Sequence, residues 1–183
     1  LAMNRLAHLI EAGHTGEFQS QLVEGLSTLY LDRFRWPELH ELLSGHGHEA
    51  AKDEELELKT AFAAAFRDVP PEEYAFDSEP AEVRTSVNRF GQPSLETHAN
   101  GVKMQFVLDT GAGMSVLTRS AAEKIGARTW SEHSGGAQTS TTNRVEVWPG
   151  VIDELQLGSL TIRNHPFGVI EDEALEFKLA GVP

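Results

Sequence analysis

Apolar residues in the first third of the chain recur at helical spacing. Leu6, Leu9 and Ile10 make a short stripe that Gly13 stops. Phe18, Leu22, Leu26, Leu29 and Tyr30 follow at intervals of four, four, three and one, the spacing of a helix with one buried face. Pro37 suits the first turn of a third helix, with Leu39, Leu42 and Leu43 inward and Gly45 as its stop. A fourth helix is expected from about Glu49 to Arg67, with Leu58, Phe62, Ala65 and Phe66 as its stripe. Short amphipathic helices in succession are loosely similar to tetratricopeptide-type hairpins, although no two copies of a 34-residue repeat align. The stretch 68–81 reads as an acidic, proline-containing linker: Pro70-Pro71 ends the helix, and Glu72, Glu73, Asp77 and Glu79 favour water.

From Glu82 the period shortens to two. Val83, Thr85 and Val87 alternate with polar neighbours. Two strand-like runs, Leu95 to Ala99 and Val102 to Leu108, flank Asn100-Gly101, a hairpin turn in which both central residues need positive φ. Residues 120–125 predict a short helix, with Ser120 and Glu123 as a capping box and Gly126 as the C-terminal cap. The Gly-, Ser- and Thr-rich stretch from Gly135 to Asn143 predicts a mobile loop. Val145 to Val147, Val151 to Leu157, Leu160 to Arg163 and Pro166 to Ile170 are the remaining strand candidates, with a Gly158-Ser159 turn. The fold class is therefore α + β: helical hairpins over 1–67, the linker 68–81, and a small, mostly β domain over 82–183.

Charge supports the division. Residues 1–79 carry six Lys/Arg against sixteen Asp/Glu, a net of −10, while residues 80–183 carry −3 of the total of −13. Such a balance argues against a nucleic-acid partner, which needs a basic stripe. No Cys is present, which excludes a disulfide scaffold, a thiolate metal site and a Cys nucleophile. No apolar run approaches the roughly 20 residues of a membrane-spanning helix, and no signal peptide is visible. The opening Leu1-Ala2-Met3 fits a fragment or a processed product.

The candidate chemistry lies at Phe106-Val107-Leu108-Asp109-Thr110-Gly111-Ala112-Gly113. An apolar strand delivers a carboxylate to a Gly-rich turn that returns to Ser115-Val116-Leu117. A carboxylate placed there and buried needs hydrogen bonds or a shared proton to offset its desolvation. The Thr110 hydroxyl and the backbone N–H groups of 111–113 are the candidate donors. The plain alternative is an ordinary Asp-Thr-Gly turn; the apolar run before it and the Ser-Val-Leu after it favour chemistry.

On these residues the chain resembles the retropepsin-like aspartic peptidases, single-lobe enzymes of retroviruses and bacteria. The run Phe106 to Leu117 looks like their active-site loop. The preceding Asn100-Gly101 hairpin is similar too, as are Ile152 to Gly158 and Leu160 to Ile170. The resemblance spans about 82–170. It implies an aspartic endopeptidase acting on protein or peptide substrates, with no cofactor and no metal. Asp109 would be catalytic, with the second carboxylate supplied by the Asp109 of another subunit, since one Asp-Thr-Gly occurs in the chain. Thr110 would bond across the dimer axis, and Gly111 and Ala112 would shape the loop. Gly135, Gly136, Ala137, Gln138 and Thr139 would form the substrate flap. The family's second signature, two hydrophobic residues and a Gly leading into a helix, has a poor match at Gly181, so the domain is expected to be C-terminally incomplete. The family's bacterial members with helical extensions point to a periplasmic or secreted site.

Other motifs are weaker. His46-Gly47-His48, with His40 nearby, reads as a polar loop between two helices rather than a metal site, with no His-Glu-x-x-His in the chain. Gly111-Ala112-Gly113 lacks the third Gly and the βαβ setting of a dinucleotide loop. An actin-like phosphate loop would need a longer chain and a second loop. No nucleophile elbow surrounds Ser115. Trp36, Trp130 and Trp148 read as packing residues. Two rivals to the peptidase remain: a peptide-binding module on the same fold, and a nucleotide-binding protein that ATP and Mg²⁺ would stabilise.

Overall fold

The computed structural model describes residues 7–10, 17–46, 54–77, 82–88, 91–138 and 144–175. The chain divides into two compact units. The first comprises Leu1–Pro71 with Ser131–Trp148, and the second Glu72–Trp130 with Pro149–Pro183.

In the first unit, residues 7–10 are helical, with Ile10 buried and Leu9 partly exposed. Leu6 lies outside the described residues. Three helices follow: α1 (Glu17–Leu31), α2 (Trp36–His46) and α3 (Glu54–Phe66). The apolar stripes face one another. Leu22, Val23 and Leu26 of α1, Leu39, Leu42 and Leu43 of α2, and Phe62, Ala65 and Phe66 of α3 are all buried. Phe18, placed in the α1 stripe by its spacing, is half-exposed instead, since it lies in the first turn of the helix. The Trp36 ring meets the edge of Phe66 with centroids 4.8 Å apart, and Phe62 packs edge-on to Phe66 at 5.4 Å. Lys59 is buried as well, and its Nζ donates to Thr28 Oγ1 across the α1–α3 contact at 3.0 Å. Residues 49–53, expected in the last helix, and Gly47-His48 lie outside the described residues.

Helix α3 is buried on more than one side: Ala61, Phe62, Ala63, Ala65 and Phe66 are all inside. One face meets α2 and another meets a β-hairpin arm, Gly135–Gln138. This corrects the loop expected over 135–143. Residues 135–138 are a strand, antiparallel to Arg144–Val147, with Gly135 opposite Val147 and Gln138 opposite Arg144. Glycine is needed here because the strand runs against helix backbone: a Cβ on Gly135 would stand 2.4 Å from Leu58 Cα. Arg144 and Glu57 close the edge of this contact with a salt bridge of 3.2 Å.

The second unit is a mostly antiparallel sheet. Its strands are β1 (Glu73–Phe76), β2 (Thr85–Val87), β3 (Pro93–Ala99), β4 (Val102–Val107), β5 (Val116–Thr118) and β6 (Arg128–Thr129). The arm Gly135–Gln138 of the first unit is β7; β8 (Arg144–Leu157) belongs to the first unit up to Trp148 and to the second from Pro149, and β9 (Leu160–Ile170) completes the series. The main path runs β1-β9-β8-β3-β2, with β4 on β3, β5 on β9 and β6 on β8. The β3–β4 hairpin has the expected turn: Asn100 and Gly101 take φ of 48° and 77°, and Ala99 pairs with Val102. Strand β8 is continuous through Pro149-Gly150, and β9 through Pro166, where the sequence suggested two strands each. Burial explains the continuity, since Pro149, Gly150, Val151, Ile152 and Pro166 to Ile170 are all inside. The short helix α4 (Arg119–Lys124) is capped by Thr118, whose Oγ1 accepts from the Ala121 N–H, rather than by the Ser120–Glu123 box; Gly126 takes φ of 62° beyond its end.

The linker reading needs correction too. Residues 73–76 are β1, paired antiparallel with β9 from Glu73–Arg163 to Phe76–Leu160. An acidic, exposed stretch can still be a strand when it sits at a sheet edge, where its partner strand, and not a buried face, holds it. The second unit therefore starts at Glu72, ten residues before the expected boundary.

Phe66 is fully buried within the aromatic cluster of the first unit. Phe66→Ala should lower the free energy of unfolding by about 3–5 kcal/mol, read from urea denaturation followed by far-UV circular dichroism. A loss under about 1 kcal/mol would show that the cluster repacks and is not the core of the helical unit.

Candidate active site

Strand β4 ends at Val107, and the chain then turns. Leu108 N–H donates to Pro93 O at 2.9 Å, which holds the end of β4 against β3. Asp109 follows. Its Oδ1 accepts from the Gly111 N–H at 2.9 Å, and its carbonyl accepts from the Ala112 N–H at 3.3 Å. The carboxylate thus closes an Asx turn on its own loop. Among the described residues, Gly111 is its hydrogen-bond donor; Thr110 is not.

The expectation of a buried carboxylate is not met in the single chain. Residues 107–113 are all exposed. The apolar residues that frame the loop are open to solvent as well: Val107 is 46% exposed, Leu108 47% and Val116 41%. Thr110, Gly111 and Ala112 lie in the same turn as Asp109, so the structure brings these four predicted residues together. Gly135, Gly136 and Ala137 are on β7, in the first unit, where Gly135 and Gly136 are buried. The Gln138 side chain and Thr139 lie outside the described residues.

The return arm of the loop is strongly held. Ser115 precedes β5, and β5 runs parallel to β9, with Val116 opposite Gly168 and Thr118 opposite Ile170. The Gly168 N–H donates to Ser115 O at 2.9 Å. The Ser115 side chain is also tied: its Oγ lies 3.0 Å from His165 Nε2, and His165 Nδ1 lies 2.5 Å from Glu72 Oε1. The Tyr74 hydroxyl donates to the other Glu72 oxygen. Glu72 and His165 are shielded, with side chains 5% and 15% exposed. A His165 tautomer with its proton on Nδ1 satisfies every partner: it donates to Glu72 and accepts from Ser115.

This cluster has electrostatic consequences. Burial alone would raise the Glu72 pKa. The hydrogen bonds from His165 and Tyr74, with the attraction of the His165 ring when it is protonated, outweigh it, and the carboxyl sits below its ordinary value. Partial burial and the bond to the Glu72 carboxylate push the Tyr74 hydroxyl up to about 12. Sequence reasoning missed Glu72 and His165. Glu72 stood in an apparent linker 93 residues from its partner, and nothing local marks a histidine that bonds to it.

The comparisons with known proteins bear on the same region. Residues 95–180 match the model of a family described as aspartyl protease, a span that contains the Asp109 loop, Ser115 and His165. The chain is similar to the crystal structure of a retropepsin-like aspartic protease from Rickettsia conorii. The two are 22% identical, the alignment covers 54% of this chain and 67% of that one, and the TM-score is 0.36. No curated protein matches the chain.

Glu72 titrates with a depressed folded-state pKa, so its contribution to stability is present above its unfolded value of about 4.3 and is lost as pH falls through the lower, folded value. Glu72→Gln should therefore show its full stability deficit above about pH 5, with the deficit shrinking on further acidification. Urea midpoints of both chains between pH 3 and 7 check this; a deficit that grows toward acid would contradict the assignment.

Proposed function

We propose that Asp109 cuts peptide bonds as one of a pair contributed by two copies of the chain, a reading supported by the match of residues 95–180 to the aspartyl protease family model. The observation that supports this reading most directly is the exposed Asp109 turn framed by exposed Val107, Leu108 and Val116. A carboxylate in water is a weak and unremarkable base. The same carboxylate set beside its twin, under an apolar rim that excludes water, is a different reagent.

Two carboxyls held close together cannot both ionise, and they share one proton, as is known for aspartic proteases as a class. The ionised member takes a proton from a water. The resulting hydroxide adds to the scissile carbonyl carbon, and the protonated member gives its proton to the carbonyl oxygen. The tetrahedral diol then collapses: a hydroxyl proton returns to one carboxylate, the C–N bond breaks, and the amine leaves with the proton from the other carboxyl. The pair titrates as a unit. The self-complementary patch of a two-fold dimer brings each loop to its own copy, so one Asp-Thr-Gly per chain suffices. In this reading Thr110, whose hydroxyl is not engaged with Asp109 in the single chain, reaches across the axis.

Asp109→Asn should lower kcat/KM about 100- to 10,000-fold while leaving the fold intact, measured on an unfolded protein substrate from acidic to neutral pH. Equal cleavage by both chains would sink the assignment. Binding of peptide by both without cleavage would favour a non-catalytic binding module. Leu108→Glu places charge in the rim, and should give a monomer by analytical ultracentrifugation with little residual activity. Wild-type specific activity should fall on dilution, and a specific activity independent of enzyme concentration would argue against a shared site.

A further inference from the structure

The gap in the pairing of β9 is where the active-site loop is fastened. Strand β1 covers Leu160 to Arg163 of β9, and β5 covers Gly168 to Ile170. Between these two stretches lie Asn164, His165, Pro166 and Phe167. Pro166 has no N–H to offer, and Asn164 takes a left-handed φ of 56°, unusual for a residue other than glycine. Here side chains take over from the ladder with β1 and β5. Antiparallel β1 begins at the gap, so the residue before it, Glu72, arrives there. Parallel β5 also begins at the gap, so the residue before it, Ser115, arrives from the other side. His165 bonds to both, at 2.5 Å and 3.0 Å.

We propose that Glu72 and His165 are positioning residues of the peptidase, which act through Ser115 to fix the return arm of the loop that carries Asp109. The proposal rests on the peptidase reading of that loop. The loop has two ends. The outgoing end is held by the Leu108–Pro93 bond to β3, and the return end by Ser115. Between them, residues 109–113 are exposed and have the Asx turn as their internal restraint. Where the carboxylate points is thus set by how firmly both ends are held. The Ser115 backbone bond to Gly168 fixes its height along β9. The His165 bond fixes the side chain, and with it the rotation of the peptide plane leading back to Met114. Glu72 fixes the histidine ring and its tautomer, a role in which a buried carboxylate is effective because its charge is not dispersed in water.

The order Ser115–His165–Glu72 is also that of a nucleophile, a base and an orienting acid. The positioning role is favoured because Ser115 leads straight into β5, with its carbonyl bonded to β9, rather than standing at the tip of a strand-to-helix elbow. The two roles part in experiment.

The full chain is compared with Glu72→Gln, Ser115→Ala and the double variant, by steady-state cleavage kinetics and by amide hydrogen exchange. The expected result is a kcat about 10-fold lower at unchanged KM for each single variant, with the double variant no worse than either, because both act through one histidine. Ser115→Thr, which keeps the hydroxyl, should recover most of the rate. Exchange at the amides of residues 110–115 should rise in both single variants, more than elsewhere in the second unit. If Glu72→Gln does not fold, Ser115→Ala, a smaller change at a half-buried site, carries the test alone. Unchanged exchange at 110–115, or an unchanged kcat in variants of an active enzyme, would overturn the proposal, as would covalent labelling of Ser115 by a fluorophosphonate in competition with substrate. If the wild type cuts nothing while exchange at 110–115 still rises in the variants, the anchoring stands and the peptidase reading fails.

Discussion

Strand β9 has to be satisfied along its whole length while most of its second half is buried, and that requirement organises the sheet. Pro166 to Ile170 are inside, where an unpaired N–H or C=O is costly. The partners come from three directions: β8 through the Gly158-Ser159 turn, β1 from the segment that follows the helices, and β5 from the far side of the Asp109 loop. The parallel β5–β9 pairing is the unusual member of a sheet that is otherwise antiparallel. It brings the returning arm of the loop to a rigid buried strand, so that a turn exposed on every residue still starts and ends on the sheet.

The loop itself is open. Its apolar frame lies in water, and its carboxylate has one hydrogen bond from the described residues. In the proposed dimer this loop supplies one half of the active site. On that reading, the second copy supplies the desolvation that sharpens a carboxylate pair. The helical unit solves a different problem. Its core is built on Trp36, Phe62 and Phe66, and the β7–β8 arm covers a further apolar face of α3.

Much of this architecture could be read from residue order. Leu39, Leu42 and Leu43, the Asn100-Gly101 hairpin and the Asp109 turn all announce themselves within a few residues, because the forces that shape them act over a turn of helix or a pair of strands. What could not be read was set by distant partners. Glu72 to Phe76 look like linker because their neighbours are prolines and acids, and only β9, some ninety residues on, makes a strand of them. Gly135 and Gly136 suggested a loose loop, since two adjacent glycines weaken a strand, but here they let it lie against Leu58 of α3. The carboxylate of Asp109 was expected to be buried because the apolar run before it suggested an interior strand end. That run is a rim at the surface. His165 carried no mark of its own, since its role depends on the residues that flank a gap in two other strands.

Strand β1 has one more consequence, for how the sheet behaves in company. Without it, the peptide groups of Leu160 to Arg163 would stand at an open edge, a template on which any extended chain could add. Four residues suffice to occupy that edge, and their outer side is poorly suited to receive a further strand, since Glu73 and Asp77 place negative charge at its two ends. The segment that joins the helices to the sheet is thus a selvedge, the woven border that keeps a fabric from unravelling or catching on its neighbour. A β domain separated from its helices just before residue 82 would keep every residue of the Asp109 loop and lose this border.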